Sequence, residues 1–265
     1  MNRRQFGWIA AGILATPTRA DDPPPPVVLL KLDDLMRITP RWQRVVDFLE
    51  AEGLKANFGI INSALEVEDP KFNAWVKRLD EKGTIEFWHH GYDAKYPHDD
   101  AHKGEFEGSG LDLQRKALKR GQELAKLRFG KEYTSFGPHY SGTDADTFAA
   151  LEGIPGIQVV WFYAPRPPAR TSKLIIERRM ELEQPIFQPN PAFVKERYEA
   201  VGRKKDYIAI QGHPDQWDDA RFANFQEAVR FLKGRGCRFV TVGEWLAGRK
   251  GNLNNCRDGV DIIPG

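Results

Sequence analysis

Short apolar runs alternate along the chain with longer stretches whose apolar residues recur at helical spacing. Runs rich in β-branched and apolar residues predict strands over Val27–Leu32, Ala56–Ile61, Thr84–Trp88, Thr134–Gly137, Ile157–Phe162, Tyr207–Gln211 and Arg238–Val242. The periodic stretches between them predict helices over Pro40–Glu52, Pro70–Lys82, Leu111–Arg128, Asp144–Leu151, Pro191–Val201 and Asp219–Lys233. Thr39 before Pro40 and Asp69 before Pro70 have the form of helix starts, and Gly53, Gly83, Gly130 and Gly236 fall just past helix ends. Strand-then-helix order, repeated about seven times, argues for a parallel sheet, closed or nearly closed and wrapped in helices. Two segments break the alternation, 91–110 and 163–191, and are expected as rim loops.

The pattern gains chemistry at the strand ends. The run VVLLKLDD closes on Asp33 and Asp34, TIEFWH on His89 and His90, and DYIAIQGH on His213. Parallel strands deliver the groups at their carboxyl ends to one rim, where the active sites of α/β folds are built. Carboxylate and imidazole gathered there point to a hydrolytic metal site.

With 265 residues, the chain has the length of one barrel domain, and its 41% hydrophobic and 29% charged composition carries no extreme bias. A formal net charge of +2 gives no argument for nucleic acid or for an anionic membrane surface as partner. Residues 1–20 depart from this picture: MNRRQF, then GWIAAGILA, then TPTRA reads as a basic start, a short apolar core and a small-residue cleavage region. That apolar run is too short to span a bilayer, which takes about 20 residues, so a removed export signal is expected rather than a stable membrane anchor. Arg3-Arg4 followed by Phe6 resembles the twin-arginine signal, with destination periplasmic or extracellular. The organisation expected is therefore an export signal at 1–20, a proline-rich leader at 21–26, one barrel at 27–250 and a polar tail at 251–265. Of the two cysteines, Cys237 precedes a predicted strand and Cys256 lies in the tail. A disulfide between them would pin the tail in an oxidising compartment, the alternative being one buried and one exposed thiol. No CxxC pair is present, which excludes a cysteine-based zinc site of that kind.

LKLDDL, EFWHHGYDA, GEFEGSG, SFGPHYSGTDADT and IQGHPDQW, in this order, resemble the successive motifs of the NodB-homology polysaccharide deacetylases, the fourth carbohydrate esterase family. The resemblance runs from about Val27 to Trp245. It implies an α/β fold, a distorted (β/α)7 barrel in a single domain, and metal-dependent removal of N- or O-acetyl groups from sugars. By motif position it gives Asp33 the role of base and His213 that of acid, with Asp34 and His90 as metal ligands. Tyr140 falls where a backbone N–H faces the developing oxyanion, and His139 where the acyl part of the groove is lined.

Hydrolysis of an amide or ester needs a nucleophilic water, which a divalent ion, zinc above all for such a ligand set, provides by lowering the water's pKa. One departure from the family stands out. Its second metal histidine follows the first by four residues, and that position here is Ala94. His98 is the nearest substitute, with His102, His139 or a water as alternatives, and weakened or lost metal binding as another. Each site residue also has a plainer reading: Asp33-Asp34 as a turn or cap, His90 and His98 as solvated loop rings, His139 and His213 as packed ones. Trp88 and Tyr92, beside His90, offer flat faces for a sugar, although aromatic residues are more often packing than platform. The functional expectation is a secreted deacetylase of a polysaccharide or related glycan. The alternatives are a hydrolase of a non-sugar C–N or ester bond on the same fold, and a glycan-binding descendant without catalysis. Oligomeric state is not legible.

Overall fold

The computed structural model of the chain describes residues 23–93, 104–161 and 167–257. Among these residues, eight strands and seven α-helices follow in the order β1 (Val27–Leu35), α1 (Pro40–Glu52), β2 (Ala56–Ile60), α2 (Pro70–Glu81), β3 (Ile85–His89), α3 (Leu111–Phe129), β4 (Ser135–Phe136), α4 (Ala145–Glu152), β5 (Val159–Trp161), β6 (Leu174–Ile176), α5 (Pro191–Ala200), β7 (Tyr207–Gly212), α6 (Asp219–Gly234), β8 (Arg238–Phe239) and α7 (Val242–Arg257). Every pairing is parallel, and the strand order is β6-β5-β4-β3-β2-β1-β7, with β8 on β1. The sheet curls into the barrel-like form expected from the alternation. β6 and β7 share no ladder. Side chains span that gap, where Tyr207 Oη accepts from the Glu177 N–H at 3.2 Å and Arg178 reaches Gln211 at 3.5 Å.

Local signals explain where the helices begin. Thr39 Oγ accepts from Trp42 N at 3.2 Å, Asp69 from Lys71 N and Phe72 N, Asn190 from Phe193 N and Asp218 from Arg221 N. Asp144 and Thr147 form a reciprocal capping box on α4. Two elements were not expected. β6 lies inside the segment read as a loop, because three apolar residues between Lys173 and Glu177 give too short a run to stand out. The expected domain end at 250 falls within α7, whose Val242 and Trp245 pack with Leu29 and Tyr207 inside the sheet's bore.

One seam needs a polar seal. The start of β1 pairs with β8, and its end pairs with β2 on the same flank. Fully buried Asn57 closes the split, donating to the carbonyls of Leu30 and Val240 at 3.3 Å each and accepting from Val242 N at 2.8 Å. A buried amide in such a place is stable only because both ends are satisfied. Outside the sheet, α1, α2, α5 and α6 bury one continuous apolar core. Cys237 is a free, buried thiol 3.6 Å from the Tyr198 hydroxyl, and the side chain of Cys256 lies outside the described ones. Among the described residues, no helix is long and apolar enough to cross a membrane.

Candidate active site

On a regular strand, neighbouring residues point to opposite faces, so Asp33 and Asp34 should not serve one site together. β1 breaks that rule with a bulge: Leu32 pairs with Phe58, but Leu35 pairs with Ile60, leaving two strand residues opposite one. Asp34 takes a left-handed φ of 71° within it. The result is that both carboxylates approach the same nitrogen, His90 Nε2, Asp34 Oδ1 at 3.2 Å and Asp33 Oδ2 at 3.7 Å. A regular strand would turn Asp33 to its other face. The bulge brings it to the shared mouth.

His90 leaves the end of β3 with its Nδ1 2.9 Å from the Gly137 carbonyl. A carbonyl can only accept, so Nδ1 carries a proton and Nε2 is the nitrogen offered to the site. Its ring lies 4.2 Å from that of His139, which follows β4, and His139 Nδ1 stands 4.0 Å from Asp34 Oδ1. Burial first, then the neighbouring His90, hold the His139 ring well below the ordinary imidazole range. Burial would raise the Asp34 carboxyl, but its closeness to the His90, His213 and His139 rings outweighs burial and holds it low. A carboxylate with one imidazole nitrogen from each of two other strand ends, all within 4.8 Å of one another, is a donor set suited to a divalent ion. The side chain of Asp34 is 42% exposed, so the cluster opens to solvent on one side.

Behind this cluster runs a polar chain that ends on His213. Lys31, two residues before Asp33 on the same face of β1, forms a buried ion pair with Asp33 Oδ2 and lies 4.4 Å over the Trp88 ring. Burial pulls its ammonium below the ordinary lysine range, against the pull of the Asp33 and Asp34 charges. Gln211 donates to the same Asp33 oxygen at 2.7 Å and sits 3.5 Å from His213 Nε2. The other Asp33 oxygen, Oδ1, is buried without a hydrogen-bond partner. His213 is then fixed from behind by Glu183, which accepts from its backbone N–H at 2.9 Å and its Nδ1 at 2.7 Å. Glu183 also accepts from Trp217 Nε1 at 2.7 Å and Phe187 N at 2.9 Å. Burial would lower the His213 pKa, but the Glu183 hydrogen bond and the Asp33 charge prevail and raise it.

The remaining expected residues divide. Tyr140 stands on the rim, 74% exposed, with a left-handed φ of 55°. Trp88 is fully buried and lies beneath the His90 ring at 4.6 Å, where it supports that ring and is closed to a sugar. Tyr92 turns outward, its hydroxyl donating to Glu66 at 3.0 Å, while its backbone N–H donates to Glu105 at 2.9 Å. His89 points away into the core with a pKa lowered to about 4 by burial. Ala94, His98 and His102 lie outside the described residues. Sequence reading missed Lys31, Gln211 and Glu183. A lysine inside the apolar run VVLLKL was a signal, because a buried charge needs a partner. Glu183 sits among other acids and carried none.

The family model described as polysaccharide deacetylase matches residues 20–155, more than half of the chain. No curated protein matches. Among solved structures, the Xyl-CE4 domain of a multidomain xylanase from the hindgut metagenome of Trinervitermes trinervoides is 21% identical, with a TM-score of 0.58, covering 86% of this chain and 92% of that one. A family 4 acetyl xylan esterase from Clostridium thermocellum, solved in complex with a cobalt ion, is 18% identical with a TM-score of 0.56, covering 82% of this chain and 89% of that one. A CE4 family pseudoenzyme from Bacillus anthracis is 12% identical with a TM-score of 0.56, covering 82% of this chain and 64% of that one. At such identities these likenesses speak for the fold, and the matched family model carries the assignment: this chain belongs to the polysaccharide deacetylase family.

Proposed function

We propose that the chain is an exported, metal-dependent hydrolase that removes acetyl groups from a glycan. The observation that carries the reading is the convergence of Asp34, His90 and His139 within 4.8 Å, beside Asp33 and His213. The donor set fits a cation on its own terms. His90 Nδ1 is committed to a carbonyl, so Nε2 faces the Asp34 carboxylate at 3.2 Å, an arrangement that a positive charge between them relieves. Asp34, His90 and His139 would hold the ion, zinc being suited to two imidazoles and a carboxylate. Such an ion supplies a water of lowered pKa and polarises the acyl oxygen.

The chain's own groups carry the protons. Asp33, with Oδ2 taken up by Lys31 and Gln211, has Oδ1 left to accept a proton from the attacking water. His213, its Nδ1 bound to Glu183, gives a proton from Nε2 to the departing amine or alkoxide. One water is consumed, the acyl carbon–nitrogen or carbon–oxygen bond breaks, and acetate leaves with the amine or alcohol of the glycan. Export rests on residues 1–20, with their paired arginines and short apolar core, which lie outside the described residues. The test is acetate release from acetylated chito- and xylo-oligosaccharides, with and without a chelator, against Asp33→Asn. Release that a chelator abolishes and zinc restores supports the reading. Ala94 favours a second reading, a glycan-binding protein without turnover, which metal-free binding of the same oligosaccharides would support.

A further inference from the structure

Two adjacent carboxylates reach the same imidazole nitrogen, and their distances to it, 3.2 and 3.7 Å, differ by too little to give them different tasks. Their surroundings do differ. Asp34 is open to solvent and has His90 and His139 beside it, whereas Asp33 is 2% exposed and faces the buried ammonium of Lys31. Lys31 in turn is only 3% exposed and is held over the Trp88 ring, so it is confined in the sheet's bore on the side of the site away from solvent. Gln211 adds a second donor to the oxygen that Lys31 contacts. Every donor on Asp33 thus falls on Oδ2, the atom nearer His90 Nε2.

We propose that Lys31 is a positioning residue that withholds Asp33 from the metal, so that of two neighbouring aspartates one ligates and the other is left as base. The inference rests on the functional reading above and concerns how its roles are divided. An ammonium pressed against Asp33 Oδ2 repels a cation from that oxygen and occupies the lone pair that a ligand would use. Without it, an uncompensated buried carboxylate within reach of His90 Nε2 joins the ligand set as an additional oxygen donor. The division is therefore made by the strand itself, since residues i and i+2 share a face and Lys31 is the i−2 neighbour of Asp33.

The experiment titrates zinc against a competing chelator in the purified wild-type protein, Lys31→Met, Lys31→Gln, Lys31→Arg and Lys31→Gln/Asp33→Asn, and takes the visible spectrum of each loaded with cobalt(II). Loss of the charge is expected to tighten zinc binding by about 10-fold or more, the scale on which outer partners tune metal sites. It should also weaken the cobalt absorption, as a higher coordination number does. Lys31→Arg should keep wild-type affinity, and adding Asp33→Asn should cancel the gain. Lys31→Gln guards against a folding failure in Lys31→Met, because it keeps a donor to Asp33. Affinity that is unchanged or weaker in folded Lys31→Gln, or a gain that survives Asp33→Asn, overturns the proposal while leaving the metal site standing. A wild-type protein that binds no zinc overturns both the proposal and the reading beneath it.

Discussion

His90 Nε2 and Asp34 Oδ1 face each other at 3.2 Å, with the opposite nitrogen of His90 bound to the Gly137 carbonyl. A ring fixed in that way offers a single lone pair in a single direction, which is how second partners prepare metal-binding histidines. His139, 4.0 Å from the same carboxylate, is the third member of the candidate set. His90→Ala, Asp34→Ala and His139→Ala should each weaken zinc binding by more than about 100-fold, beyond the loss of an outer partner. With His139 as the third ligand, His98→Ala should leave it within a factor of about 3. Metal content after dialysis, with chelator competition, measures both. Retained affinity in His139→Ala would remove that residue from the set.

Asp33 should separate from its neighbour in the opposite way. Asp33→Asn keeps the shape and the hydrogen bond from Gln211 but loses the proton acceptor, so zinc content should hold while turnover falls by about 10²–10⁴-fold, the usual worth of a general base. Steady-state acetate release on metal-loaded protein checks it. A fall in metal content parallel to the fall in rate would break the division between the two aspartates.

The Glu183–His213 contact at 2.7 Å gives a prediction in pH. In the proposed acid role His213 acts while protonated, and its pKa is raised, so kcat/KM should fall as pH rises through that value. Glu183→Gln removes the charge that opposes burial and should move the falling limb to lower pH. The same sign applies to stability. A histidine whose folded pKa exceeds its unfolded value of about 6.5 stabilises fully below that pH, and the contribution fades as pH rises through the folded value. Rate profiles for the two proteins decide the matter, and an unmoved limb would mean that Glu183 only packs.

The strand ends were legible because their signal is local. An apolar run followed by Asp33-Asp34, His90 or His213 declares both the strand and its rim, and parallel topology follows from the helices between. The bulge in β1 was not legible, because sequence gives no register and only the pairing of Leu35 with Ile60 shows the extra residue. Glu183 was hidden for another reason. Its partner lies thirty residues away, across the gap between β6 and β7, and no periodicity records a contact between a loop and a strand end. His139 was visible as an oddity, and its place beside His90 depended on the order of β3 and β4 in the sheet.

The site also depends on two glycines with no chemistry of their own. Gly59 on β2 and Gly137 after β4 leave the room in which the Trp88 indole lies across the bore, and a side chain at 59 would collide with its six-membered ring. That indole lies 4.4 Å from the Lys31 ammonium and 4.6 Å from the His90 ring, so its placement reaches both Asp33 and the candidate metal set. Gly59→Ala should cost about 1–3 kcal/mol through overpacking, a loss of several degrees in Tm for a chain this long. Replacing Trp88 with a smaller ring in the same protein should return part of that loss, since the two changes share one contact. Thermal unfolding of Gly59→Ala, Trp88→Phe and the double variant gives the coupling between them. Strict additivity would show that the strand accommodates a methyl group at 59 without the indole moving, and the tight bore would then not be what fixes His90.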